Sequence, residues 1–166
     1  GKLIAGDTTK IHGLDLATRD YFQASIKGDD FISQVVVSKG TGHNVFAVSV
    51  PVKHEGKIIG VLAGSIWLDK LVDLFIKDVK IAETGYPYVA DSKGMMLAHP
   101  KKEFIMDLDV SQFDFGKAAL AMKVGHYYYE FEGVEKLQAF HEVKECGWFV
   151  SLTAPVDELL AGIRAM

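Results

Sequence analysis

The sequence predicts an α+β fold of two consecutive modules, each an antiparallel sheet flanked by helices. Two stretches carry this reading, residues 45–68 and residues 125–154. Each is rich in β-branched and aromatic residues, folds back at a Gly-containing turn and runs into a segment of helical spacing. A third observation separates the modules, because only the first holds Arg19-Asp20-Tyr21-Phe22 at a helix start. The chain has 166 residues, 49% of them hydrophobic, enough to bury a core as one large domain or as two modules of roughly 80 residues. The repeated pattern selects two, residues 1–78 and 79–166.

In the first module, residues 2–5 read as a short strand and residues 7–18 as a polar, Gly-interrupted segment. Residues 19–27 have the spacing of a short amphipathic helix, with Tyr21, Phe22 and Ile26 apolar and Thr18 as N-cap. Residues 31–37 are rich in β formers, Gly40-Thr41-Gly42 turns the chain, and residues 45–53 return as a strand. Glu55-Gly56 makes a hairpin turn into a long strand over 57–68. Trp67, Leu68, Leu71, Val72 and Phe75 then continue as a helix to about Asp78.

Glu83-Thr84-Gly85 opens the second module. Residues 86–91 and 95–99 flank Ser92-Lys93-Gly94 as a hairpin, residues 113–123 are helical, and strands follow at 126–131, 136–143 and 148–153. A last helix starts at Pro155, a favoured first-turn position, with Asp157 and Glu158 complementing its positive end. The order predicts an antiparallel sheet with one face covered by helix. Tyr127, Tyr128 and Tyr129 alternate along one strand, so Tyr128 faces away from its neighbours and is available for a dimer or membrane-proximal contact.

Composition narrows the function. The formal net charge is −4 with acids and bases interspersed, so no basic field exists to attract nucleic acid or an anionic bilayer. Cys146 is the only cysteine, which excludes an internal disulfide and a Cys-based zinc site. It is expected as a buried thiol in a strand-like run. No run approaches the roughly 20 apolar residues of a membrane span, and no signal-peptide pattern is present. His12, His43, His54, His99, His126 and His141 lack the i, i+4 spacing of helical metal ligands. No nucleophile elbow, phosphate loop or Ser-His-Asp arrangement can be assembled. No catalysis, no cofactor and no metal are expected.

Arg19 is the leading binding residue. A guanidinium at a helix start, beside backbone N–H groups pointing out of that end, suits a carboxylate. The alternative is a solvated arginine, or one paired with Asp15 or Asp20.

The segment from Gly85 to Gly94, reading Gly-Tyr-Pro-Tyr-Val-Ala-Asp-Ser-Lys-Gly, with Leu97-Ala98-His99-Pro100 after it, resembles the membrane-proximal half of a double Cache sensor domain. Gly147-Trp148 running to Ala154-Pro155 does so too. Arg19-Asp20-Tyr21-Phe22, Ser38-Lys39-Gly40-Thr41-Gly42, Val50-Pro51-Val52 and the run from Gly60 to Ser65 resemble the distal half. The resemblance implies two PAS-like modules, the distal one, residues 1–78, binding the ligand and the proximal one, residues 79–166, closed by its own side chains. It also implies an extracytoplasmic, periplasmic location, a homodimer formed through a parent chemotaxis receptor, and membrane attachment through segments outside this chain. The family's long N-terminal helix and first distal strand have no counterpart before Lys2. A separate fragment or a partner chain is expected to supply them, because a sheet without its middle strand leaves backbone groups unpaired.

The same resemblance makes Tyr21 and Phe22 pocket walls, plain core packing being their other reading. Amino-acid-binding members carry a tyrosine where this chain has Val36, and carboxylates for the ligand ammonium where it has Ser38 and Ser65. Each lost charge-assisted bond is worth roughly 1.5–3 kcal/mol, so a small organic acid is expected ahead of an α-amino acid. Ser38, Thr41 and Ser65 offer neutral hydroxyls, or else bond their own backbone. Trp67 completes the candidate set. The rivals are an amino-acid or amine sensor of the same fold, and a cytoplasmic PAS-like dimerisation module without ligand.

Overall fold

The first helix is short. In the computed structural model, which describes residues 1–6, 12–38 and 41–164, α1 spans Asp20–Ser25 and takes Arg19 as its N-cap residue without a side-chain capping bond. Thr18, the expected cap, lies one residue outside. The strand expected at residues 2–5 is reduced to one bridge between Lys2 and Asp15.

Residues 31–37 form two short strands, β1 (Phe31–Ile32) and β2 (Val36–Val37), both antiparallel to β3 (Asn44–His54). Ser33 divides them. Its N–H donates to the Ala47 carbonyl at 2.8 Å, while its hydroxyl accepts from the Ala47 N–H at 2.9 Å. A side chain therefore replaces one rung of the ladder. The Gly40-Thr41-Gly42 turn lies partly outside the described residues.

On its other edge β3 pairs with β4 (Lys57–Trp67) through a two-residue turn. Glu55 and Gly56 both take positive φ, 47° and 77°, the geometry that matches strand twist in a tight hairpin. One face of this sheet carries α1. Ser49 on β3, Ser25 on α1 and the Tyr21 carbonyl are joined by hydroxyl bonds of 2.8 and 3.1 Å, and Ser25, Ser33 and Ser49 are all buried. The other face, with Val48, Val52, Leu62 and Ile66, is exposed. The outer edge of β4 pairs with no other described strand.

The helix α2 (Leu68–Phe75) buries Leu68 and Val72. Here the chain divides into two compact units, Gly1–Leu68 and Asp69–Met166. The division falls after Leu68 rather than after Asp78, so nearly all of α2 goes with the second unit.

That unit is a five-stranded antiparallel sheet in the order β6-β5-β9-β8-β7. Its strands are β5 (Tyr86–Ala90), β6 (Met96–Ala98), β7 (Val124–Phe131), β8 (Val134–Val143) and β9 (Trp148–Pro155). Glu132 and Gly133, at φ 53° and 75°, repeat the tight turn between β7 and β8. One face is covered by α3 (Asp114–Met122) and two 3₁₀ turns. Gly116 permits close contact there, since a Cβ would lie 1.9 Å from the Val110 carbonyl oxygen.

Beneath that cover Tyr88, Phe115, Phe140 and Phe149 are buried, with Tyr86, Phe104, Phe113, Tyr127, Tyr129 and Phe131 packed around them. Gln138 is also buried. It accepts from the Tyr88 hydroxyl and donates to the Phe115 carbonyl at 2.8 Å. Pro155 ends β9 opposite Lys136 instead of opening the last helix, α4 (Val156–Arg164); lacking an N–H, proline is tolerated at a strand end. Cys146 sits in the turn after β8, half-buried, its thiol directed to the Val143 carbonyl and its pKa raised by burial.

Candidate functional site

The cross-strand register gathers part of the predicted set at one end of the first sheet. Val36, Val45 and Trp67 lie side by side on β2, β3 and β4, and Val37 pairs with Asn44 at the next position. The Arg19 guanidinium reaches this end from the α1 start, its Nη2 donating to the Val37 carbonyl at 3.2 Å. Trp67, 43% exposed, stacks on His43 with ring centroids 4.4 Å apart and planes 26° from parallel. His43 was not among the predicted binding residues. Stacking on an indole requires the register to be known, and no local signal in the sequence carries it.

The other predicted residues take more local roles. The Ser38 hydroxyl accepts from the Thr41 N–H at 3.2 Å, and the Thr41 hydroxyl lies 3.5 Å from the His43 N–H. Both are tied into the turn between β2 and β3. Phe22 packs against the chain start, where a Cβ on Gly1 would fall 2.2 Å from its ring. Tyr21 is half-buried, and burial raises its phenol pKa. Ser65 pairs with Ala47, so its side chain shares the α1 face, in an exposed position.

Arg19 departs from the expected electrostatics. An α1 of six residues supplies too little aligned backbone to be an anion site by itself. Asp20 instead accepts from the Tyr21 N–H at 2.7 Å, and Asp15 accepts from the Ala17 N–H at 2.9 Å. The bond to Val37 orients the guanidinium, a planar group with five N–H donors, most of which a ligand carboxylate could use.

The second unit has an open cavity of about 420 Å³ along Gln112, Phe113, Asp114 and residues 127–130, and a much smaller one among its buried rings. The cavity among Tyr86, Tyr88, His99, Phe104, Tyr129 and their neighbours measures about 20 Å³, room for about one water. His99 is 3% exposed, and burial lowers its pKa to about 4. Its Nδ1 accepts from the Lys101 N–H at 2.9 Å. Among the described residues, no group of three or more His, Cys, Asp or Glu side chains is arranged to hold a metal ion. No described helix is long and apolar enough to cross a membrane.

The chain is thus an α+β protein of two antiparallel units. Residues 1–163 match the Cache domain family, and the chain belongs to it. It is 30% identical over 149 residues to the methyl-accepting chemotaxis protein TlpB of Bacillus subtilis, an alignment covering 89% of this chain and 22% of that protein. The extracellular domain of the histidine kinase mmHK1S-Z3 superposes with a TM-score of 0.77 at 19% identity, over 99% of this chain and 64% of that one. The ligand-binding domain of the Campylobacter jejuni chemoreceptor Tlp3, solved in complex with L-norvaline, gives a TM-score of 0.65 at 26% identity, over 87% and 55%. The chain thus spans under a quarter of the curated relatives it matches, and under two thirds of these solved domains.

Proposed function

We propose that the chain is the ligand-binding part of an extracytoplasmic sensor domain in a transmembrane chemotaxis transducer, and that its first unit, the membrane-distal one, binds a small carboxylate. The observation that carries the ligand class is the convergence of Arg19, Trp67 and His43 at one sheet end, beside Val36 and the neutral hydroxyl of Ser38. The guanidinium engages the carboxylate, and the indole and imidazole rings cover the rest of a short ligand. The exposed Ser65 hydroxyl takes a remaining polar atom, while those of Ser38 and Thr41, which accept within their turn, keep their O–H donors for it. The domain acts in a homodimer of the parent receptor and catalyses nothing.

The similarity to Tlp3 with L-norvaline supports a second reading, an α-amino acid. Both classes use the same anchor and differ at the ammonium, for which Val36, Ser38 and Ser65 supply no charge. Melting curves with lactate, pyruvate and alanine separate them. Ligand at 100 times its dissociation constant adds about 2.7 kcal/mol of stability. Stabilisation by the hydroxy or keto acid and not by alanine is expected; the reverse order overturns the organic-acid reading in favour of the amino acid.

We further infer that the open edge of β4 takes a strand supplied from outside these 166 residues. An 11-residue strand with one unpaired edge is a template for strand addition. The resemblance to double Cache domains, whose distal sheet has a further strand at its middle, supports this reading.

A further inference from the structure

The chain enters the second sheet through a closed turn at residues 81–85. Ile81 N–H donates to the Gly85 carbonyl at 3.0 Å, and Gly85 N–H donates to the Ile81 carbonyl at 2.8 Å. This turn has no slack. A Cβ on Gly85 would lie 2.4 Å from the Ile81 carbonyl oxygen, 2.5 Å from Ala154 Cβ and 2.6 Å from the Thr153 carbonyl oxygen. The turn backbone is therefore pressed onto the last residues of β9, the strand from which the chain leaves into α4.

The turn and that helix share one further connection. The N–H groups of Glu83 and Thr84 both donate to Glu158 Oε2, at 3.0 and 2.8 Å, and the Thr84 hydroxyl donates to Oε1. Glu158 lies in the first turn of α4, where a carboxylate alone would already favour the positive helix end. Here it is committed to the incoming turn instead. Charge-assisted bonds to three donors in one short segment form a directional tie rather than a sliding contact.

We propose that Glu158 is a positioning residue for signal output, coupling the connection that enters the second unit to the helix that leaves it. A displacement of the connection then reaches α4 as a change in its seating, through the carboxylate. The inference rests on the sensor-domain reading but not on the ligand, and its test uses none.

Amide hydrogen exchange of the 166-residue chain, read over α4 and over the 81–85 turn, makes that test. Gly85→Ala displaces the turn without removing Glu158, but its Cβ also meets Ala154 and Thr153 at the end of β9, so only the part of its effect on α4 that needs Glu158 counts. With Glu158 present, it is expected to speed exchange in α4 by at least about five-fold, the low end of coupling between two sites. In Glu158→Ala, α4 should already exchange fast, and adding Gly85→Ala should speed α4 by several-fold less than it does with Glu158 present. If Gly85→Ala does not fold, Thr84→Val, which removes only the hydroxyl donor, carries the same comparison. Unchanged α4 exchange in the displaced turn variant overturns the proposal, as does an equal acceleration with and without Glu158.

Discussion

Arg19 owes its orientation to a neighbour that the sequence hides, the Val37 carbonyl 3.2 Å away. Arg19→Ala should remove ligand stabilisation while lowering unliganded stability by only about 0.5–1.5 kcal/mol, the worth of one ordinary hydrogen bond. Paired melting curves of parent and variant, with and without the acid, check both parts. His99 gives a pH signature. Its folded pKa, about 4, lies below the ordinary value of 6.5, so the unfolded chain binds the extra proton first as pH falls. The neutral imidazole's contribution is complete above about pH 6.5 and is lost as pH drops toward 4. The melting temperature should fall across that window, and less steeply in His99→Asn, which keeps an acceptor for the Lys101 N–H. At this scale the sequence was informative about residue type and poor about company. Arg19 and Trp67 could be nominated from the chain, but the His43 stack and the use of the Ser38 and Thr41 hydroxyls inside their own turn depend on folding back.

Both long hairpins turn on a Glu-Gly pair with positive φ at both residues. Gly133 has open space around a would-be Cβ, so Gly133→Ala isolates backbone strain from packing. It should cost about 1–2 kcal/mol, measurable as a shift in the urea midpoint at unchanged slope. Such turns fix register, and the long strands were therefore legible to within a residue or two. Legibility ended where side chains replace backbone pairing or where neighbours decide. Ser33 divides the predicted 31–37 strand with its own hydroxyl, and Pro155 stays in β9, in register with Lys136. The α1 start moved from Thr18 to Arg19, since no capping bond forms there to mark it.

Over the whole molecule, the boundary expected near residue 79 falls after Leu68. Helical spacing across 67–75 places α2 but cannot assign it to a unit. The first unit leaves Leu62 and Ile59 65% and 66% exposed on β4, and the chain by itself should self-associate there. Leu62→Lys should raise the monomer fraction in sedimentation while changing stability by no more than about 0.5 kcal/mol, because charge on such a strand discourages pairing. An unchanged monomer fraction would mean that β4 is not the adhesive surface. The two units also differ in what seats their helices. Interlocked rings under α3 make the second a stiff mount. The Ser25–Ser49–Tyr21 bonds of 2.8 and 3.1 Å make the seat of α1 a detent: it tolerates a displacement of a few tenths of an ångström, and beyond about 0.5 Å its hydrogen bonds let go together. A helix seated by a few short bonds gives way abruptly where one seated on interlocked rings resists throughout, so the two units differ in how their helices would yield.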